Sequence, residues 1–202
     1  MKKKKLSIIA ASVAIMACVG GTFAWFTATD SVTNSFATSG NEDPNEDPDD
    51  GVKVEEIFDE EEAAKVVPGT EVNKDVAAKN TSTYDSFIRI NFDKVFKETP
   101  YGGDEIAKIN LTYQNLTASL EDNNWVDGND GYFYYLGKVE PGMSTPYLLD
   151  SVSLDKSADN TYKNATFDVI VNAEGIQASN GAAADTWTKA SADVLAKLSS
   201  LE

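Results

Sequence analysis

Carboxylates are the chemically capable groups this sequence supplies most freely, and the partners they would need are missing. The chain of 202 residues carries 33 Asp and Glu against 17 Lys and Arg, no histidine, and one cysteine, Cys18. Composition alone therefore excludes a Ser-His-Asp triad, a thiol–histidine pair and any zinc motif built on histidine. Carboxylates by themselves can hydrolyse a glycosidic bond, but only as an acid and a base paired across a cleft. No spacing of the acids here singles out such a pair, and no Gly-rich phosphate loop follows a strand pattern.

Two segments carry ligand-type residues for a hard cation. Asn41 to Gly51 holds six acids and two prolines with no apolar side chain. It lacks the ordered loop spacing of a calcium site and reads as an extended, self-repelling linker. Asp127-Gly128-Asn129-Asp130-Gly131 also breaks the calcium-loop pattern and suits a hairpin turn. The aromatic run Tyr132-Phe133-Tyr134-Tyr135 could stack on a sugar, but on a strand its rings alternate sides, which favours packing. Sequons at Asn80, Asn110, Asn115 and Asn164 read as ordinary polar strand positions. No catalytic residue, metal ligand or cofactor is expected.

The elements that position everything else begin with an export pattern. Lys2 to Lys5 form a basic region, Leu6 to Val19 an apolar core, and Thr22-Phe23-Ala24 puts small residues where a signal peptidase inspects them. Cleavage is expected between Ala24 and Trp25. Phe23, Trp25 and Phe26 prolong the apolar run, so two alternatives stay open: an uncut membrane anchor, or a lipoprotein-type acceptor at Cys18 after Ile15-Met16-Ala17. Cleavage removes four lysines and takes the formal charge from −16 to −20. Such a chain repels nucleic acid and anionic lipid. It also leaves no thiol, so the mature protein has no disulfide to rely on.

Past the cut, period-two alternation dominates. Phe26, Ala28, Val32 and Phe36 share one parity, with polar Asp30 and Asn34 between them, and Thr27, Thr29, Ser31, Thr33 and Ser35 take the other. That is a strand with one greasy face. Beyond the linker, strands are expected at Val52 to Phe58, Val72 to Lys79 and Tyr84 to Phe92. One or two more fall within Ile106 to Leu120. Asn123 to Val126 should pair with Tyr132 to Leu136, followed by Tyr147 to Leu154 and Thr166 to Glu174. A short helical turn is expected at Glu60 to Lys65. From Ala183 the period changes: Trp187, Ala190, Val194, Leu198 and Leu201 recur as on one amphipathic helix. The expected fold is all-β, an antiparallel jelly-roll-like sandwich with a short C-terminal helix. Its divisions are a signal (1–24), an N-terminal strand (25–40), an acidic linker (41–51), the sandwich (52–182) and the helix (183–202).

Several blocks carry a family resemblance when taken in order. They are Gly20 to Thr27, Val67-Pro68-Gly69-Thr70-Glu71-Val72-Asn73-Lys74-Asp75 with Lys79-Asn80-Thr81-Ser82, Asp130 to Tyr135 leading to Glu140-Pro141-Gly142-Met143-Ser144-Thr145, and Phe167 to Gln177. The chain resembles Gram-positive biofilm matrix proteins of the BsaA and TasA type, to which camelysin is related. The resemblance implies export through a SipW-like signal peptidase and a secreted, extracellular or cell-surface place. It further implies a head-to-tail homopolymer made by donor-strand exchange, with accessory matrix proteins as possible companions and no nucleic acid.

The residues suit that role. Phe26 to Phe36 would reach roughly 35 Å at about 3.3 Å per residue, with Phe26, Ala28, Val32 and Phe36 as anchors in a neighbour's sheet edge. The same segment could instead be the first strand of its own sandwich. A structural subunit rather than an enzyme is expected. The alternatives are a camelysin-like surface metallopeptidase and a monomeric adhesin.

Overall fold

Alternating residues become strand wherever the greasy parity finds a facing sheet. The computed structural model describes residues 27–36, 51–58, 60–63 and 66–202. Among these are nine strands: β1 (Thr27–Phe36), β2 (Val52–Phe58), β3 (Glu71–Asn80), β4 (Ser86–Glu98), β5 (Ile109–Tyr113), β6 (Trp125–Asp127), β7 (Phe133–Tyr135), β8 (Leu149–Leu154) and β9 (Thr166–Gln177). They form two antiparallel sheets, ordered β1-β9-β4-β7-β6 and β2-β3-β8-β5. With β2 and β6 set aside, the orders β1-β9-β4-β7 and β3-β8-β5 interleave as in a jelly roll.

The sheets face each other across one buried cluster. Phe167, Val169, Val171 and Ala173 of β9 and Ile88 and Ile90 of β4 meet Val72 and Val76 of β3 and Val152 of β8. Each such aliphatic burial contributes about 1.5–3 kcal/mol. Trp125 is fully buried there and donates its indole N–H to the carbonyl of Pro146 at 2.8 Å, so the largest side chain leaves no polar atom stranded.

The outer face of the five-stranded sheet is covered too. Phe87, Tyr134 and Ile176 pack with Ala183, Trp187, Val194 and Leu198 in a second buried cluster. The expected single C-terminal helix is two: α2 (Ala182–Thr186) and α3 (Ala192–Ser199) follow the short α1 (Glu60–Ala63). Thr186, Trp187 and Thr188 are weak helix formers, and Ser191 caps a new start by accepting from the Val194 N–H at 3.3 Å. The periodic residues Trp187, Ala190, Val194 and Leu198 are nevertheless all buried.

Two sequons depart from the expected strand setting. Asn115 and Asn164 sit in left-handed turns at φ 51° and 57°, a conformation asparagine tolerates better than most residues. Asn80 is fully buried at the end of β3. Its amide nitrogen donates to the carbonyls of Tyr84 and Val139, each at 2.7 Å, and its oxygen accepts from the Ser82 N–H at 2.9 Å. This pins the turn from β3 to β4, and hence one end of both sheets.

Candidate functional site

The site that the fold assembles from the sequence-predicted residues is a sheet edge. β1 is the outermost strand of its sheet and pairs with β9 along its full ten residues. Here it closes the sheet of its own chain, the plain first-strand arrangement. Among the described residues no strand pairs with its other side. Of the expected anchors, Ala28, Val32 and Phe36 stand opposite Gly175, Val171 and Phe167. Val171 and Phe167 are buried in the inter-sheet core. The polar positions of the same parity, Asp30 and Asn34, stand opposite Ala173 and Val169, also core residues. Phe26 and the expected cleavage pair Ala24 and Trp25 lie outside the described residues, as does the expected linker apart from Gly51.

β2 lies over this edge from the facing sheet. A β-carbon built on Gly175 would come 3.2 Å from the Val52 Cβ, so the two sheets converge there and glycine makes room for the approach. At the opposite end of β1, where Phe36 pairs with Phe167, a cleft of about 490 Å³ opens among Ala63, Val66, Pro68, Leu154, Tyr162 and Phe167. The groove that β1 fills thus runs from the Gly175–Val52 contact to this cleft.

One charged pair stands inside the groove. Lys74 of β3, on the same face as Val72 and Val76, is fully buried. Its Nζ donates to Glu56 Oε1 of β2 at 2.9 Å and lies 5.0 Å from the Phe58 ring centre. Burial lowers the lysine below its ordinary range, with the Glu56 charge and hydrogen bond opposing.

A second polar cluster, which sequence reasoning missed, lies on the outer face. Arg89 of β4 grips Glu174 of β9 through Nε at 2.9 Å and Nη2 at 2.6 Å, and its Nη1 donates to the Tyr134 hydroxyl at 3.2 Å. Tyr134 donates in turn to Asp130 at 2.7 Å. The Trp187 ring stacks 4.9 Å from the guanidinium. The one available signal was Arg89 sharing a strand face with Phe87, opposite Ile88 and Ile90. The aromatic run alternates as expected: Phe133 and Tyr135 pack on the inter-sheet core, Tyr132 and Tyr134 on the helix-covered one. The Asp127–Gly131 segment is a hairpin turn, closed by the Gly128 N–H donating to the Tyr132 carbonyl at 2.9 Å.

Among the described residues no three of Cys, Asp and Glu gather as metal ligands, and the sequence has no histidine to add. No helix among them is long and apolar enough to cross a membrane. The sequence pattern of the family described as camelysin metallo-endopeptidase matches residues 1–110, a span running from the lysine-rich start through β4 to the first residues of β5. No curated protein and no solved structure matches the chain.

Proposed function

The chain belongs to the camelysin metallo-endopeptidase family, a family of cell-surface and extracellular proteins, and from that premise we propose that it is a secreted structural subunit polymerising by strand exchange. The observation that carries this reading is the position of β1. It is the first of the described strands, it follows the expected export signal, and one neighbour, β9, holds it. Its ladder of ten residues is worth about 1 kcal/mol net per hydrogen bond. An identical strand from another copy would restore every one of those bonds, so exchange is nearly neutral in contacts and is decided by concentration and by release of the N-terminus.

A SipW-like signal peptidase acting between Ala24 and Trp25 would supply that release, because a strand tethered in the membrane cannot enter a neighbour. The acidic linker would let the freed strand leave its own sandwich, and its charge keeps it from packing. Passing β1 from each copy to the next is a head-to-tail contact that does not close, which yields a filament. The fibre would be a biofilm matrix element, joined by accessory matrix proteins.

The residues do not fit the zinc centre that the family's name implies, since histidine is absent and the described carboxylates do not cluster. No catalytic step is assigned. Casein hydrolysis by purified protein, abolished by a chelator, would overturn the structural reading.

The direct test removes residues 25–40. The shortened chain should stay a folded monomer by size exclusion and show no fibres by electron microscopy, while the processed full-length chain forms them. Fibres from the shortened chain would sink the proposal, as would a processed chain that never polymerises.

A further inference from the structure

The two ends of the sandwich carry complementary features. At one end Val66, Val67, Pro68, Leu154, Tyr162 and Phe167 line the cleft of about 490 Å³, a volume within the range of about 300–1,000 Å³ that binding pockets occupy. Val67 on its rim is 58% exposed. At the other end of β3, the turn Glu140–Met143 presents Met143, also 58% exposed. That turn is braced: the Met143 N–H donates to the Glu140 carbonyl at 3.0 Å, the Asn80 N–H donates to the Met143 carbonyl at 2.9 Å, and the Asn80 carbonyl accepts from the Gly142 N–H at 2.8 Å. A methionine on a turn so held is an adaptable apolar knob whose backbone is ordered before it binds.

The path of the chain says what is led to the cleft. β1 ends at Phe36, opposite Phe167 and therefore at the cleft. β2 begins at Val52, opposite Asn80 and therefore at the Met143 end. These ends are separated by the length of β3, roughly 30 Å at about 3.3 Å per residue. Residues 37–50 join them and reach about 46–50 Å when fully extended. Within one chain that segment doubles back along the sandwich. When β1 sits in a neighbour's groove, it leaves the neighbour at the cleft end and arrives at the Met143 end of its own sandwich. Strand exchange thus leads the Met143 end of each copy toward the cleft of the copy that accepts its strand.

Charge agrees with that approach. Lys163 lines the cleft and Glu140 opens the turn. Both are exposed, and neither has an ion partner among the described residues. Asp159, the acid lining the same cleft, is taken up by the N–H and hydroxyl of Thr161 at 2.9 and 2.6 Å.

We propose that the cleft of one copy receives the Glu140–Met143 turn of a second copy of this chain, with Met143 in the apolar cleft and Glu140 facing Lys163. The inference rests on strand exchange to bring the two ends together, and adds a side-chain contact between successive subunits. A strand alone leaves them hinged on a charged tether; the seated turn fixes the angle between them.

The test is a cysteine pair, because a chain processed after Ala24 has lost Cys18, its only thiol. Met143→Cys and Val67→Cys are made singly in the processed full-length chain, mixed in equal amounts during fibre assembly and treated with a short thiol crosslinker. The mixture should give about tenfold more linked dimer than either variant alone, since a docked pair is held at high effective concentration. The same excess is expected over Met143→Cys mixed with Leu116→Cys, a position 41% exposed elsewhere on the surface. Combined in one chain, the two thiols stand too far apart to meet and should give ladders. Fibres that form without linkage overturn the contact and leave strand exchange standing. Equal linkage to Leu116→Cys overturns the contact as well. Linked dimers from processed chains that build no fibres, or from chains lacking residues 25–40, support the contact and overturn its dependence on exchange. Should a cysteine variant fail to fold, Met143→Asp decides: it should roughly halve the persistence length of fibres seen by electron microscopy, and an unchanged value overturns the contact.

Discussion

The Arg89 guanidinium lies 3.8 Å from the centre of the Tyr132 ring, and the hydroxyl of that ring donates at 2.7 Å to the same Glu174 carboxylate that Arg89 holds. One arginine thereby ties β4 to β9 and to the turn leading into β7. Its side chain is 11% exposed and that of Glu174 20%. Arg89→Ala strips both the ion pair and the ring contacts, and should cost on the order of 3 kcal/mol. Arg89→Lys should recover less than half, because an ammonium cannot replace the planar fork. Urea unfolding checks both. A loss under about 0.5 kcal/mol for Arg89→Ala would show the cluster to be ornamental.

Alkaline pH should unsettle rings on both faces of the five-stranded sheet. Tyr113 is pushed up to about 12 by burial and then by the Asp127 charge. Tyr132 and Tyr134 are also raised, burial first, then hydrogen bonds to Glu174 and Asp130. A folded tyrosine held neutral keeps its proton while the unfolded chain has lost its own. The stability these rings contribute is therefore complete below about pH 10 and falls as the pH climbs toward about 12. Ultraviolet titration should show phenolate appearing later in native than in denatured protein, with unfolding free energy dropping over that window. Coincident titration curves would contradict the burial argument.

Gly175→Val places a branched side chain where Val52 already stands 3.2 Å from a built β-carbon. The two sheets must part at the mouth of the groove, at a cost of about 1–3 kcal/mol. Hydrogen exchange should quicken at Thr27–Thr29 and at β2 more than at β5, and fibre yield should fall. Uniform protection across all strands would show that the convergence of the sheets there does not matter.

The helical cover and its cap should separate cleanly in energy. Trp187 is 1% exposed and sits edge-on to Tyr134 with ring centres 5.7 Å apart. Trp187→Ala should therefore cost about 3–5 kcal/mol. Ser191→Ala removes one cap acceptor and should cost about 1 kcal/mol. Thermal unfolding distinguishes them, and equal shifts would mean α3 is held by its cap rather than by its buried face.

The strands were readable because sandwich burial imposes a period of two that few other structures produce. Val72, Lys74, Val76 and Ala78 already shared a face in the sequence, so the burial of Lys74 was announced by a lysine standing in a greasy row. Its partner Glu56 was not legible, since pairing between β2 and β3 is needed to bring it within reach. The C-terminal segment kept its helical period across Trp187 to Ser191, although the backbone there turns between two helices. Periodicity reports which side chains are buried, not whether the hydrogen-bond ladder continues between them. Arg89 escaped because its ring partners Tyr132, Tyr134 and Trp187 come from two stretches of chain far from it in sequence.

The pairing of β1 with β9 also sets an order of events. Residues 27–36 emerge from a ribosome well before their sheet partner at 166–177. Throughout the interval the earliest strand has nowhere of its own to go, and any finished neighbour with a vacant edge competes for it before the chain's own β9 arrives. If copies exchange strands as proposed, the topology makes the rate of delivery a variable of assembly: slow delivery would favour joining a neighbour, and fast delivery would favour closing on itself.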